Sequence, residues 1–535
     1  MPIQQRELAN LRTMPITRIS VQNFKGIGQR TEITLKPITL FFGANSAGKS
    51  TLLQALLYLR EVLERGNADA DVVEGGGSAI DLGGFRQIVH QHNLANTLSV
   101  GVTVALDDDG LPMPKKADGR NAATEELHRS ISEIKEIGVE VGVEWSLDTH
   151  KPVVARYNVV ADGTPILRIS QQRLDRPRLW LNEAHPSVRR VIGAEDEDPF
   201  FESDGKNSVP TMVLEQTTVI PSWHEPLVGS LPGGDTELEP PELPMIEEIV
   251  ERLALGAGKV VLQLLNQIRY IGPLREYPPR RSTAQRTPSN DRWATGLAAW
   301  DWLGTETNDP VHKRQVNAIG EWMTDTCHLD LGYTVRHQSW LEIDAESDLY
   351  RELSMAQYGD EEGIAERLRL LVLPRLLQLP LMHRVLMNDM RNGAEVDPQD
   401  IGNGVTQVIP VLAGLKAEGG NILAVEQPEL HLHPAVQCRL ADIFIRSLHD
   451  GRERLMLLET HSEHLMLRLM KRMRETSSDS LNAPELALSK EDVQVIYVES
   501  FEGRTVLREM PLNSRGEWVK SWPGGFFDED INEIF

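Results

Sequence analysis

Several broad classes are excluded by what this chain lacks. Its 535 residues include two cysteines, Cys327 and Cys438, too few for a disulfide framework or a zinc cluster, which agrees with a reducing compartment. No apolar run is long enough to span a bilayer, and the opening MPIQQRELANLRTMPI lacks the charged, apolar and small-residue zones of a signal peptide. A cytoplasmic location with no membrane partner is therefore expected. Positive charge is not in excess: 55 Lys and Arg against 79 Asp and Glu leave a net −24. That argues against a surface coating nucleic acid non-specifically, because phosphate binding needs local cations. Sustained a/d heptads are absent between Thr51 and Gly402, so no long coiled-coil arm is expected. What remains is ordinary globular material, 40% hydrophobic and 25% charged, long enough for two or more cores.

The most informative segment is Gly43-Ala44-Asn45-Ser46-Ala47-Gly48-Lys49-Ser50-Thr51, which follows the apolar run Ile38 to Phe42 and opens a helix-like stretch, Leu52 to Leu59. A strand stopping at Gly43, a glycine-permissive loop and a helix beginning near Lys49 aim several backbone N–H groups and a helix dipole at one spot, which suits a polyphosphate. Lys49 is expected to reach the β and γ phosphates of a nucleoside triphosphate. Ser50 is expected to place its hydroxyl on Mg2+, a cation that prefers oxygen ligands and keeps several waters.

Along the chain, Thr17 to Phe24 and Gln29 to Leu35 alternate as short strands parted by Lys25-Gly26-Ile27-Gly28, a hairpin feeding the loop. Thr97 to Leu106, Val139 to Leu147, Val153 to Val160 and Thr164 to Gln171 read as further strands. The acidic stretch near Ala194 to Gly205 and the proline-rich Leu231 to Glu242 read as surface loops. Helical periodicity returns at Met245 to Gln267, Pro310 to Cys327 and Glu361 to Leu373. From Asp397 a helix, Val405 to Leu415, precedes the strand Ile422 to Val425, the helix Pro434 to Leu448 and the strand Arg454 to Leu458. This βαβ alternation implies a mainly parallel sheet. Two more strands, Val493 to Glu499 and Thr505 to Met510, precede an aromatic tail.

A P-loop needs an acid at the end of a neighbouring strand, and Asn421 to Glu426 supplies one. The run Glu426-Gln427-Pro428-Glu429-Leu430-His431-Leu432-His433-Pro434 closely resembles the Walker B and D-loop of ATP-binding-cassette ATPases related to SMC proteins, RecF and the overcoming-lysogenization-defect family. The resemblance implies an α/β P-loop NTPase of ABC/SMC head type, with a mixed central sheet, an N-terminal β-subdomain and an inserted α+β region without long coiled coil. Expected boundaries are 1–107 for the first half of the head, 108–395 for the insertion, 396–512 for the second half and 513–535 for the tail. In the family pattern the first acid, here Glu426, serves the metal, and the second is the base for the attacking water. Here the second is Gln427, whose amide orients water but has no basic carboxylate. Glu429 is the alternative base if the loop turns it inward, and slow hydrolysis and a binding-only switch both remain open.

His461, in Leu458-Glu-Thr-His461-Ser462, matches the family's switch histidine at the γ-phosphate. Ile401-Gly402-Asn403-Gly404-Val405-Thr406-Gln407 matches its signature loop, with Gly402, Asn403, Gly404 and Thr406 expected at the nucleotide of an opposing subunit. That implies a homodimer, or a higher even oligomer, with ATP between the heads. The Q-loop residue is expected to be Gln87 or Gln91. His464, His431 and His433 invite a zinc reading, but the D-loop resemblance accounts for the last two without metal. Tyr270 to Arg275 and the tail Gly516 to Glu529 look like a bacterial subgroup of compact ATPases, several of which occur in anti-phage defence operons. The expected function is thus a dimerising ATP switch controlling a partner effector such as a nuclease. A RecF-like repair ATPase, a transporter ATPase and a self-contained nuclease are the rivals, the last on faint echoes in Val495 to Glu499 and Asp528 to Asp530. Nucleic acid, if contacted, would meet the stripe Arg269, Arg275, Arg280, Arg281, Arg286 and Arg292, with Tyr270 and Tyr277 interleaved. The cluster Arg468, Lys471, Arg472 and Arg474 reads as a solvated helix face.

Overall fold

The computed structural model describes residues 16–73, 76, 80–107, 110–111, 129–172, 175–182, 184–192, 212–230, 242–280, 290–305, 307–355, 358, 364–366 and 368–522. The two expected surface loops therefore lie largely outside the described residues, as do Arg281, Arg286, part of the Glu361 to Leu373 stretch and the tail from Pro523 onward.

The centre is a six-stranded sheet in the spatial order Ile268–Ile271, Ile422–Glu426, Leu455–Thr460, Ile38–Gly43, Val493–Phe501, Arg504–Glu509. The first five strands are parallel and the last is an antiparallel edge. The sequences explain this arrangement. Ile-Thr-Leu-Phe-Phe-Gly and Ile-Leu-Ala-Val-Glu are near-continuous apolar runs, buried along their length, as a sheet covered on both faces requires. Strand Ile268–Ile271, from the inserted region, completes one edge of this sheet.

Period-two alternation divides the P-loop strand between two cores. Phe41 faces the core shared with helix Thr51–Arg65 and the nine-stranded antiparallel sheet. Ile38, Leu40 and Phe42 face the core built on helices Leu297–Gly304, Pro310–Thr324, Asn403–Lys416 and Pro434–Leu448. The nine-stranded sheet includes the hairpin Ile16–Gln22 with Thr31–Thr34 and the strands from Leu98–Ala105 to Gly229–Ser230. Helix Thr51–Arg65 ends at Gly66, whose φ of 66° is left-handed and whose N–H returns to the Val62 carbonyl.

A third sheet, not expected above, is three-stranded and antiparallel, Tyr333–Leu341 with Leu381–Asp389 and Glu395–Val396. At the carboxyl end Trp522 packs against Phe42 and Tyr497, with ring centroids 5.7 and 5.3 Å away, and against Trp518 at 4.7 Å. The first tryptophans of the aromatic tail thus lie beside the P-loop strand.

Candidate functional site

Strand Ile38–Gly43 delivers the loop at the carboxyl end of the sheet, where open α/β sheets gather their ligands. Gly43 has φ 151°, and a Cβ there would lie 2.0 Å from the Val498 carbonyl oxygen, so no other residue fits. Ala44, Asn45 and Ser46 are exposed, Ala47 is buried, and Ser46 takes the left-handed φ of 60°. Lys49 donates from Nζ to the carbonyls of Ala44 at 2.9 Å and Gly43 at 3.3 Å. Ser50 caps the helix that begins at Thr51.

Two carboxylates meet Ser50. Strands Ile422–Glu426 and Leu455–Thr460 run parallel with Glu426 opposite Glu459, and the Ser50 hydroxyl donates to Glu459 Oε2 at 2.7 Å. Glu426 accepts from the Tyr270 hydroxyl at 2.7 Å. Both acids are buried. Burial raises the Glu459 carboxyl to about 7, with the Glu426 charge adding to it. Burial likewise raises Glu426, against the hydrogen bond from Tyr270. Sequence reasoning found Glu426 and missed Glu459. The available signal was an acid ending a buried parallel strand, an expensive placement unless something there needs the charge.

The D-loop turns on two left-handed residues, Gln427 with φ 48° and His431 with φ 62°. The Gln427 N–H donates to the Glu459 carbonyl at 2.7 Å, while its side chain stays half-buried. Glu429 is turned inward: Oε1 accepts the His461 backbone N–H at 2.7 Å, Oε2 has no hydrogen-bond partner among the described residues, and burial raises the carboxyl above its usual range. Burial, and then the nearby Lys49 charge, lowers the His461 imidazole, keeping it neutral at neutral pH. His433 caps helix Pro434–Leu448 by accepting from the Ala435 N–H.

A second cation also went unread. Lys25 sits in the turn after the first strand, donates to Gln54 Oε1 and feels the Glu426 charge, while burial lowers its own pKa. Gln87 and Gln91 are both exposed, on a segment tied to this turn by the Phe24–Val89 bridge and by His90 Nδ1 on the Lys25 carbonyl.

In the signature loop, Gly402 caps helix Asn403–Lys416 and stays exposed with Asn403, which accepts from the Tyr277 hydroxyl at 2.7 Å. A Cβ on Gly404 would lie 2.6 Å from the His431 carbonyl oxygen, so signature loop and D-loop touch through backbone. Thr406 is buried, its hydroxyl donating to the Asn403 carbonyl, which leaves the exposed helix end to backbone N–H groups and Asn403.

Among the described residues, the arginines of the stripe are tied into the fold. Arg269 is buried and donates to the carbonyls of Gly414, Ala417 and Glu418 at the end of the signature helix, with Trp293 beneath it at 4.2 Å. Arg275 is buried and donates to the carbonyls of Gln407, Glu426 and Gln427. Arg280 pairs with Asp400 and Arg292 with Asp301. The arginines serve backbone carbonyls and carboxylates because spacing alone cannot distinguish a solvated stripe from buried struts. Of the two stretches that echo a nuclease motif, Val495 to Val498 are interior to a central strand and Glu499 pairs with Arg508, while Asp528 to Asp530 lie outside the described residues. Arg468 and Arg472 pair with Asp442 on the helix face expected to be solvated.

Residues 14–104 match the model of an AAA ATPase domain, and residues 330–467 match that of an AAA domain, putative AbiEii toxin, type IV toxin–antitoxin system. Residues 488–535 match a protein family of unknown function. No curated protein matches the chain. Solved structures similar to it include an SMC head bound to the C-terminal winged-helix domain of ScpA, at 12% identity and TM-score 0.41, covering 93% of this chain and 98% of that one. An SMC head with an extended coiled coil bound to the C-terminal domain of ScpA, from Pyrococcus furiosus, has 12% identity and TM-score 0.37, with coverage of 93% and 97%. The SMC head domain from Thermotoga maritima has 9% identity and TM-score 0.31, with coverage of 93% and 99%. Lys49 and Ser50 lie in the first matched segment, and Glu426, Glu459 and His461 in the second. These matches support an ATP-binding ATPase, and the side chains that meet at the end of the central sheet come from both matched segments.

Proposed function

We propose that the protein is a slowly hydrolysing, dimerising nucleotide switch that controls a partner effector, a nuclease in anti-phage defence being the class that fits best. The observation that carries the reading is the meeting of Lys49 and Ser50 with Glu426 and Glu459 at one end of the central sheet. Two carboxylates and a hydroxyl suit Mg2+, which takes its remaining ligands from water and phosphate rather than from a full protein cage. Bound there, the cation would neutralise charge on the β and γ phosphates.

The chain's own residues do the rest. Lys49 exchanges its loop carbonyls for phosphate oxygens, and backbone N–H groups from Gly48 to Thr51 hold the polyphosphate at the helix end. Neutral His461, beside Lys49, donates to or accepts from the γ-phosphate. Gln427 orients the attacking water through its amide but cannot take its proton, and Glu429 is held against the His461 backbone. Turnover is therefore slow, so the ATP-bound state is long-lived.

Dimerisation is supported by the exposed end of helix Asn403–Lys416 at Gly402 and Asn403. It leaves N–H groups free for the γ-phosphate of a second copy. ATP then acts as a ligand of the paired state, and its loss separates the heads.

The test is mass measurement of the protein, alone and purified with its neighbouring gene products, with ATP, with ADP and with neither. ATP is expected to double the mass and to change the partner's activity. An ATP-independent mass, together with a partner indifferent to nucleotide, refutes the switch.

A further inference from the structure

We infer that Glu459 is a second carboxylate ligand of the nucleotide-bound divalent cation, sharing it with Glu426 and Ser50. This rests on the ATPase reading and adds a residue to it. Glu426 and Glu459 end adjacent parallel strands in register, so both carboxylates emerge on the same side of the sheet, about 5 Å apart at the backbone. The Ser50 hydroxyl, the group a P-loop offers its cation, is fixed on Glu459 Oε2.

Glu459 is 5% exposed, and neither it nor Glu426 has an ion-pair partner within 4.0 Å among the described residues. Lys49 Nζ is engaged by Gly43 and Ala44, and Lys25 Nζ by Gln54. Arg275 turns both terminal nitrogens of its guanidinium to backbone carbonyls. Two buried carboxylates side by side, without a paired side-chain cation, are costly unless a bound cation offsets them. Glu429, which could otherwise be a third ligand, is held through Oε1 by the His461 N–H.

The experiment titrates Mn2+ into the ATP-loaded protein by electron paramagnetic resonance and separately measures ATP binding in EDTA. Glu459→Gln is expected to weaken Mn2+ binding at least about tenfold, leaving ATP affinity in EDTA within about twofold. Glu459→Asp is expected to fall between the two. Mn2+ affinity unchanged in Glu459→Gln overturns the inference. So does an equal loss of ATP affinity in EDTA, which makes Glu459 a support for the loop rather than a ligand. Wild-type protein that binds ATP neither in EDTA nor with Mn2+ present would instead sink the underlying ATPase reading.

Discussion

Arg275→Met is expected to loosen the joint between the signature helix and the strand carrying Glu426, by roughly 2–4 kcal/mol. The guanidinium donates to the Glu426 carbonyl at 2.6 Å and to those of Gln407 and Gln427 at 3.1 Å each. Methionine keeps most of the stem volume but donates nothing. An orphaned buried acceptor costs about 1–3 kcal/mol. The Gln427 carbonyl is only partly buried, so water can replace that bond, leaving two orphans and a gross loss of about 2–6 kcal/mol. Part of this is recovered, because burial already opposes the Arg275 charge and lowers its pKa to about 10. A chain with two large cores need not unfold in one step, so the proper assay is amide hydrogen exchange over Asn403–Lys416 and Ile422–Glu426 rather than a single melting point. Arg280→Met, at an exposed pair with Asp400, is the control and should leave protection unchanged. Wild-type protection in Arg275→Met would refute the structural role. Unchanged protection combined with lost polynucleotide binding in both variants would restore the arginine stripe as a nucleic-acid surface.

Lys49→Ala should abolish ATP binding, read by fluorescence titration, since Lys49 supplies the loop's only side-chain charge to the phosphates. Gln427→Glu should raise turnover about 100-fold, the low end of the range for a general base. No gain, together with loss of activity in Glu429→Gln, would move the base to Glu429. Glu459 has its folded pKa raised from 4.5 to about 7. The folded state then binds more protons than the unfolded one between these values, and stability of the metal-free, nucleotide-free protein should fall as pH rises from about 4.5 to about 7. Chemical denaturation across that window should show the fall in wild type and a flatter profile in Glu459→Gln; equal slopes would count against the buried pair.

The elements most legible in the sequence were those whose local pattern matches their environment. Ile38 to Phe42 and Ile422 to Val425 read as buried parallel strands because both faces are covered. Helix Pro434–Leu448 was placed to the residue, with proline at its first turn and His433 as its cap. Less legible were features that depend on partners distant in sequence. Glu459 was hidden because nothing local says that Ser50 lies against it. Lys25 looked like part of a hairpin turn until the fold brought Glu426 near. Strand Ile268–Ile271 is four residues long, and its partner, Ile422–Glu426, lies far along the chain. The arginine stripe misled for the converse reason. Its spacing suits an exposed polycation, while burial of Arg269 and Arg275 is decided by carbonyls supplied from the signature helix and D-loop.

The described part of the segment matching a family of unknown function packs against the P-loop and so bears on the proposed nucleotide site. Strand Ile38–Gly43 has both its neighbours from late in the chain, Leu455–Thr460 on one side and Val493–Phe501 on the other. Both neighbours touch the P-loop, the first through Glu459 on Ser50 and the second through its hairpin. The Val498 carbonyl lies where any Gly43 side chain would be, and the Thr505 hydroxyl donates to the Ala47 carbonyl at 3.0 Å while its N–H reaches Gly26. The tight turn at Glu502 and Gly503, with φ of 49° and 73°, directs Thr505 there. Truncation after Ser489 should therefore remove ATP binding as well as any docking role of the tail. It strips Val493, Val495, Ile496, Tyr497 and Val498 from the central sheet, and at about 1.5–3 kcal/mol per buried side chain the loss of about 8–15 kcal/mol rivals the whole stability of an ordinary domain. Thr505→Val is the milder companion, keeping the strand and removing one bond to the loop, so it should weaken ATP binding without unfolding the chain. A truncated protein that stays folded by circular dichroism and binds ATP as wild type does would separate this segment from the site.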